Sequence, residues 1–388
     1  MKKQMKKKIN QGVNGKIYGK ILMFPESVSE AFSLGEKPTL PLRYYKKYSR
    51  IAILGMGGSG YGAGLLQNIA PYLDIQANHS YEIPPYYGAE TLCLAVSFSG
   101  KTEETISAAT LAHKKGCSVI GMGIPTKLKE LCTRLQIPHV DFPEKFQPTR
   151  IGPAFVTLTP AGILRKLGIL QITQEEISET VEACRKIRES CSADVPKQKN
   201  PAMKIAGDLK GLPIAVYVPS EISGLGEVFK DNFAENSKVF VKWEILPEGN
   251  HHDFSIWEDR PKAAAVILRS PKDENEREKI SLALSEKVLK KYANKFVKIT
   301  LPDTKSRVAR IFAGLYFGMF VSYYLRTLSG KGKKSVEKTP LQNAVKGKLS
   351  ADFVERIISS ATPQPQAAQG EVPTLASLSK TAMQKPQA

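Results

Sequence analysis

The chain has 388 residues, 42% hydrophobic and 24% charged, which excludes a fibrous or wholly disordered polymer and suffices for two domains with their own cores. Its formal charge of +19 includes five lysines among the first eight residues, a block that reads as a solvated arm and an excess that favours the arrival of small anions. Five cysteines, at 93, 117, 132, 184 and 191, form no C-x-x-C pair and no histidine stands at zinc spacing from them, which argues against a disulfide framework or a structural metal. They are expected to be buried thiols in a reducing, cytoplasmic setting.

In chain order, residues 1 to about 24 read as a basic arm without periodicity, whose apolar run 21–24 is too short for a signal peptide. A short amphipathic helix follows from Pro25 to Phe32. From Ile51 the pattern alternates strand and helix: strands near 51–54, 75–78, 91–96 and 117–121, helices near 60–70, 102–115 and 127–135. Such alternation argues for a parallel sheet covered by helices on both faces. A helix near 154–167 and a charged one near 175–192 lead into Pro196 to Pro201. The pattern then repeats, with strands near 212–218, 239–243, 263–268 and 296–300 and helices from Ser223 to about Ser237, near 275–293 and near 306–328. The apolar run Ile311 to Leu325 falls short of a bilayer span, is flanked by arginines, and reads as a core helix. A last amphipathic helix is expected near 340–360, before a tail rich in Pro, Gln, Ala and Ser that should be disordered. The expected division is an arm and short helix (1–40), one α/β domain (41–170), a linker helix (171–205), a second α/β domain (206–330), a C-terminal helical segment (331–360) and the tail (361–388).

Two stretches point to a phosphate. The strand Ile51-Ala52-Ile53 runs into Leu54-Gly55-Met56-Gly57-Gly58-Ser59-Gly60, where glycines let backbone N–H groups approach an anion at a helix start. The next strand ends in Ser97-Phe98-Ser99-Gly100-Lys101-Thr102, where three hydroxyls and a glycine precede another helix and can donate to phosphate oxygens without adding charge. A dinucleotide would need one glycine turn and an acid at the end of the second strand, and Asp74 and Glu82 are poorly placed for that. Two hydroxyl-lined turns at neighbouring strand ends suit a phosphomonoester better.

G-M-G-G-S-G followed by S-x-S-G-x-T resembles the sugar isomerase (SIS) domains, and more narrowly the bifunctional phosphoglucose/phosphomannose isomerases. The resemblance covers about residues 45 to 350 and implies two SIS-type, flavodoxin-like domains. It places Gly57, Gly58, Ser59, Ser97, Ser99 and Thr102 around the substrate. In Gln147-Pro148-Thr149-Arg150, Arg150 matches the arginine that stabilises an enediolate, a task suited to a guanidinium that keeps its proton. Ala234-Glu235-Asn236-Ser237-Lys238 is similar to N-E-N-x-K, which makes Glu235 the base that moves a proton between C1 and C2 of the open-chain sugar. Ala234 and Val228 depart from the family's asparagine and arginine there. Glu248-Gly249-Asn250-His251-His252-Asp253 resembles E-x-N-H-N-E, so His251 matches the histidine that assists ring opening from the partner subunit of a dimer. Adjacent His251 and His252 point apart and no third ligand of the right kind is expected nearby, so no metal is expected. Thr339 and Lys346, with Lys348 as the alternative lysine, match the threonine that admits either C2 epimer and the lysine that helps ring opening.

The resemblance thus implies an aldose–ketose isomerase interconverting glucose 6-phosphate, and mannose 6-phosphate too, with fructose 6-phosphate through a cis-enediol. It implies no metal or organic cofactor, a sugar phosphate and a second copy of the chain as partners, and neither membrane nor nucleic acid. The alternatives are a non-catalytic SIS protein that binds a sugar phosphate to regulate a partner, and an isomerase of another phosphosugar.

Overall fold

The computed structural model describes residues 13–146, 152–330 and 351–363. Two parallel sheets organise it. The first has five strands in the order β2-β1-β3-β4-β5: β1 (Arg50–Leu54), β2 (Ile75–Asn78), β3 (Thr91–Ser97), β4 (Ser118–Gly123) and β5 (His139–Asp141). The second has four in the order β7-β6-β8-β9: β6 (Ile214–Pro219), β7 (Val241–Leu246), β8 (Ala264–Arg269) and β9 (Lys295–Thr300). Every pairing is parallel, β1 matching Leu54 with Ala95 of β3 and β6 matching Tyr217 with Ile267 of β8. In both sheets the second strand sits outside the first and the third returns to its other side, so each has a switch point beside its first strand. Ligands bind open α/β sheets in the crevice at such a point, outside the carboxyl ends of the strands.

Central strands are largely apolar, with β3, β6 and β8 wholly buried, as expected for sheets covered on both faces. In the first half the covers are α3 (Gly62–Ile69), α4 (Glu103–Lys114), α5 (Lys127–Leu135) and α6 (Pro153–Lys166). In the second they are α8 (Pro201–Asp208), α9 (Ser223–Asn232), α10 (Glu276–Tyr292) and α11 (Arg307–Leu328). α7 (Gln174–Cys191) starts in a capping box between Thr173 and Glu176 and packs along α11. α11 has the length and hydropathy of a membrane span, but 94% of its apolar window is buried inside the protein, as expected of a core helix. The cysteines are free and buried.

Three elements went unread in the sequence. α1 (Val13–Leu22) forms a helix inside the supposed arm and continues into α2 (Phe24–Glu36), which packs closely on α6. β5 is a three-residue edge strand, and α8 starts at Pro201, capped by Asn200, which accepts from the Met203 amide at 2.9 Å. The last helix, α12 (Ala351–Ser360), docks on the first half: Val354 and Ile358 join the core beside α4 and α5, and Arg134 donates to the Ala361 carbonyl at 2.8 Å.

The halves meet where α3 crosses α9, each the helix that follows the first strand of its sheet. A Cβ on Gly224 would stand 2.5 Å from the Gly64 carbonyl carbon, so the crossing needs glycine. Asn68 clamps it, accepting from the Gly224 amide at 2.7 Å and donating to the Ser220 carbonyl at 3.2 Å.

Candidate active site

At the switch point of the first sheet, β1 ends in a tight turn over Gly57–Ser59. Gly57 has φ +52, a conformation that favours glycine, and nothing lies within 4 Å of where its Cβ would be, so the turn faces open space. Among the described residues the amides of Gly57 and Gly58 donate to no backbone carbonyl, which leaves them for an anion. The Ser59 hydroxyl accepts from the Phe98 amide at 3.1 Å, tying this turn to the end of β3. There Ser97 Oγ donates to Thr102 Oγ1 at 2.9 Å and accepts from the Thr102 amide at 3.4 Å. Gly100, at φ +65, bends the chain back into α4. Ser99 is exposed, and its Oγ accepts from the Lys101 amide at 3.3 Å. The two hydroxyl turns read separately in the sequence are thus one polar rim across adjacent strand ends.

α9 of the other half lies across the glycine turn. It ends in a π-helical turn, Phe233–Ser237, that carries Glu235. π-turns are rare and cluster at functional sites. This one is braced by α11: Asn236 donates to Ser322 Oγ at 3.2 Å, Ser237 Oγ to the Ser322 carbonyl at 2.8 Å, and Arg326 to the Asn236 carbonyl at 2.9 Å. Lys238 takes φ +55 to leave the turn. Glu235 is half-buried, whereas neighbouring Ala234 is exposed and Val228 is in the core.

Glu227, Asp231 and Glu235 are spaced four residues apart on α9 and its extension, which puts them along one face. Burial raises the pKa of Glu227, and the Asp231 charge adds to it. Burial likewise raises that of Asp231, with Glu235 acting the same way and Lys230, 2.8 Å away, opposing. Tyr61, buried behind the glycine turn, is raised by burial and then by these three carboxylates, which places the acidic face against the first half. The four-residue spacing was available in the sequence; what the row faces was not.

His251 lies elsewhere in the same chain. It closes a short turn, Glu248–His251, beyond the C-terminal end of β7, whereas Glu235 precedes the N-terminal end of that strand. Six residues of extended chain separate the two ends by roughly 20 Å. His251 instead borders a cavity of about 500 Å³ with Asn250, His252, Phe254, Trp257 and Tyr292. The expectation that no further ligand type lies near these histidines needs correcting: ligand atoms of Glu244, His252 and Asp253 come within 4.8 Å of one another, and His251 is outside the group. Asp253 is already engaged, by the Lys242 ammonium and by Tyr217, whose hydroxyl also accepts from Trp257 Nε1 at 2.7 Å. The Lys242 ammonium thus competes with any cation for Asp253. Arg150, Thr339, Lys346 and Lys348 lie outside the described residues.

The sequence model of the bacterial phospho-glucose isomerase C-terminal SIS domain matches residues 198–339. A bifunctional phosphoglucose/phosphomannose isomerase of Caldicellulosiruptor bescii is 27% identical over 343 residues, covering 86% of this chain and 99% of the relative. A protein of the same name from Thermoplasma volcanium is 26% identical over 291 residues, covering 75% and 89%. Among solved structures, the tagatose-6-phosphate ketose/aldose isomerase of Escherichia coli superposes with a TM-score of 0.64 at 14% identity, over 82% of this chain and 94% of that one, a likeness of fold. Paired parallel sheets, a glycine and hydroxyl rim at the first switch point, and relatives that match along most of their length agree: the chain is similar to the bifunctional phosphoglucose/phosphomannose isomerases, and its second half matches an SIS domain of phospho-glucose isomerases.

Proposed function

We propose that this protein interconverts glucose 6-phosphate, and also mannose 6-phosphate, with fructose 6-phosphate through a cis-enediol. The observation that carries the reading is the position of Glu235, on a braced π-turn of one half, at the end of the helix that crosses the phosphate-type turn of the other. Gly57, Gly58, Ser59, Ser97, Ser99 and Thr102 hold the phosphate through amides and hydroxyls. Glu235 takes the proton from C2 and returns it to C1. Arg150 stabilises the charge that develops on the enediolate oxygens, and Thr339 leaves room for both epimers. Lys346 and a histidine assist ring opening.

That histidine is His251 of a second copy, because the length of β7 keeps His251 from Glu235 within one chain. The face beside His251 supports a dimer: Ile280, Leu284 and Val288 form an exposed apolar stripe on α10, and Val288 borders the same cavity. The reaction needs neither metal nor organic cofactor in this reading. The test is conversion of glucose 6-phosphate and, separately, mannose 6-phosphate to fructose 6-phosphate by purified protein with EDTA present. Turnover of both is expected. Turnover of neither, with fructose 6-phosphate still raising thermal stability, would overturn the reading in favour of a silent binding protein.

A further inference from the structure

His79 has no part in the scheme above, yet it stands at the same switch point. It follows the last residue of β2 and is exposed. Its Nδ1 is 2.7 Å from the Gly55 carbonyl oxygen, and because a carbonyl only accepts, Nδ1 carries a proton there. Nε2 is left without a hydrogen-bond partner among the described residues. The ring lies directly on the glycine turn, where a Cβ on Gly60 would be 2.7 Å from Nδ1. From the other half, α9 brings Glu227 and Asp231 into electrostatic range of His79, and Asp231 feels Glu235 as well. Lys230, paired with Asp231, and buried Tyr61 are the other titratable groups around this space.

The strand order adds a measure of length. β2 and β3 flank β1, so His79 and the Ser97–Thr102 hydroxyls stand on opposite sides of the glycine turn, about 10 Å apart. That is close to the reach of an extended hexose 6-phosphate, with its phosphate at one side and C1 and C2 at the other.

We propose that His79 is a further catalytic acid–base of this site, carrying the hydroxyl-borne proton of the substrate while Glu235 carries the carbon-borne one, with Glu227 and Asp231 as positioning residues. The assignment rests on the isomerase reading. Starting from the imidazolium, Nε2–H passes to O1 of the open-chain aldose as Glu235 takes the proton from C2. The C2–H electron pair becomes the C1–C2 double bond, and the C1=O1 pair accepts the imidazole proton. In the second half O2–H returns a proton to Nε2, its electron pair forms C2=O2, and the C1–C2 π pair takes the proton from Glu235 at C1. Both residues end as they began and no electrons enter or leave.

His79→Asn is the test, because the asparagine Nδ2 can still donate to the Gly55 carbonyl while the titrating ring is gone. With glucose 6-phosphate, kcat is expected to fall about 10²-fold, with KM and the thermal midpoint little changed and added imidazole restoring part of the rate. An active wild type whose His79→Asn variant keeps its kcat would overturn the assignment. So would a lower kcat that imidazole does not rescue and that comes with a lower thermal midpoint, since His79 would then only support the turn. A wild type with no hexose phosphate turnover would overturn the isomerase reading first and this role with it, a result visible before any variant is made.

Discussion

Glu235 shows what one residue asks of its surroundings. In the proposed reaction the carboxylate that removes a carbon-bound proton must be held still, and the turn that carries Glu235 is fixed by Asn236 and Ser237 on Ser322 and by Arg326. Glu235→Gln should lower kcat by about 10³-fold while fructose 6-phosphate still raises the thermal midpoint, because the phosphate rim is untouched; near-normal turnover would sink the assignment. At this scale the motifs that carry Ser59, Ser97, Thr102 and Glu235 were legible because each is short and local. His79 and Asp231 were not, since their relation to the site arises only when two distant segments meet. The metal-type grouping at Glu244, His252 and Asp253 was missed because Glu244 lies on β7, four residues before the Glu248–His251 turn.

Elements place these residues, and the crossing of α3 and α9 is the decisive one. Gly224→Ala would put a methyl carbon 2.5 Å from the Gly64 carbonyl carbon, between two backbones that cannot step aside as a flexible side chain can. The expected cost is about 1–3 kcal/mol in denaturant unfolding, with a fall in kcat because α9 carries Glu235 away from the turn. A second clasp joins the β8–α10 loop to α11, where Arg310 donates to Asp273 at 2.6 Å. Burial alone would raise the Asp273 pKa, but Arg310 and the Ser270 hydroxyl hold it below the usual carboxylate value. A carboxyl depressed in the folded state stabilises above its unfolded pKa, and that contribution is lost as pH falls through the folded value. Stability should therefore drop below about pH 4, and Asp273→Asn should lose that part of the pH dependence at a cost of about 3 kcal/mol at pH 7, both read by urea melts. Most elements were legible to within a few residues from alternation and caps. β5 was too short to show a period, α8 was hidden behind Pro201, which in fact opens its first turn, and glycines masked α1.

At the scale of the whole molecule, the separation of His251 from Glu235 makes a proposal about assembly testable by mixing. Glu235→Gln and His251→Ala proteins, each inactive alone, should regain about a quarter of wild-type activity when refolded together, since half the dimers are mixed and one of the two sites in each is intact. No recovery would place both residues in one subunit's chemistry. Leu284→Glu, on the exposed stripe of α10, should yield a monomer by light scattering with little turnover. The repeat of the α/β pattern was legible from the sequence, but not how its halves dock. The glycines that touch there hold equivalent stations, each near the start of the helix after the first strand of its sheet, and a contact between equivalent positions is what a two-fold axis produces. The chain therefore carries inside itself the self-complementary contact of a symmetric pair of single domains. Because the two sides are separate stretches of one polypeptide, they are free to differ, so in the proposed reaction one half can specialise in gripping the anion and the other in moving the proton.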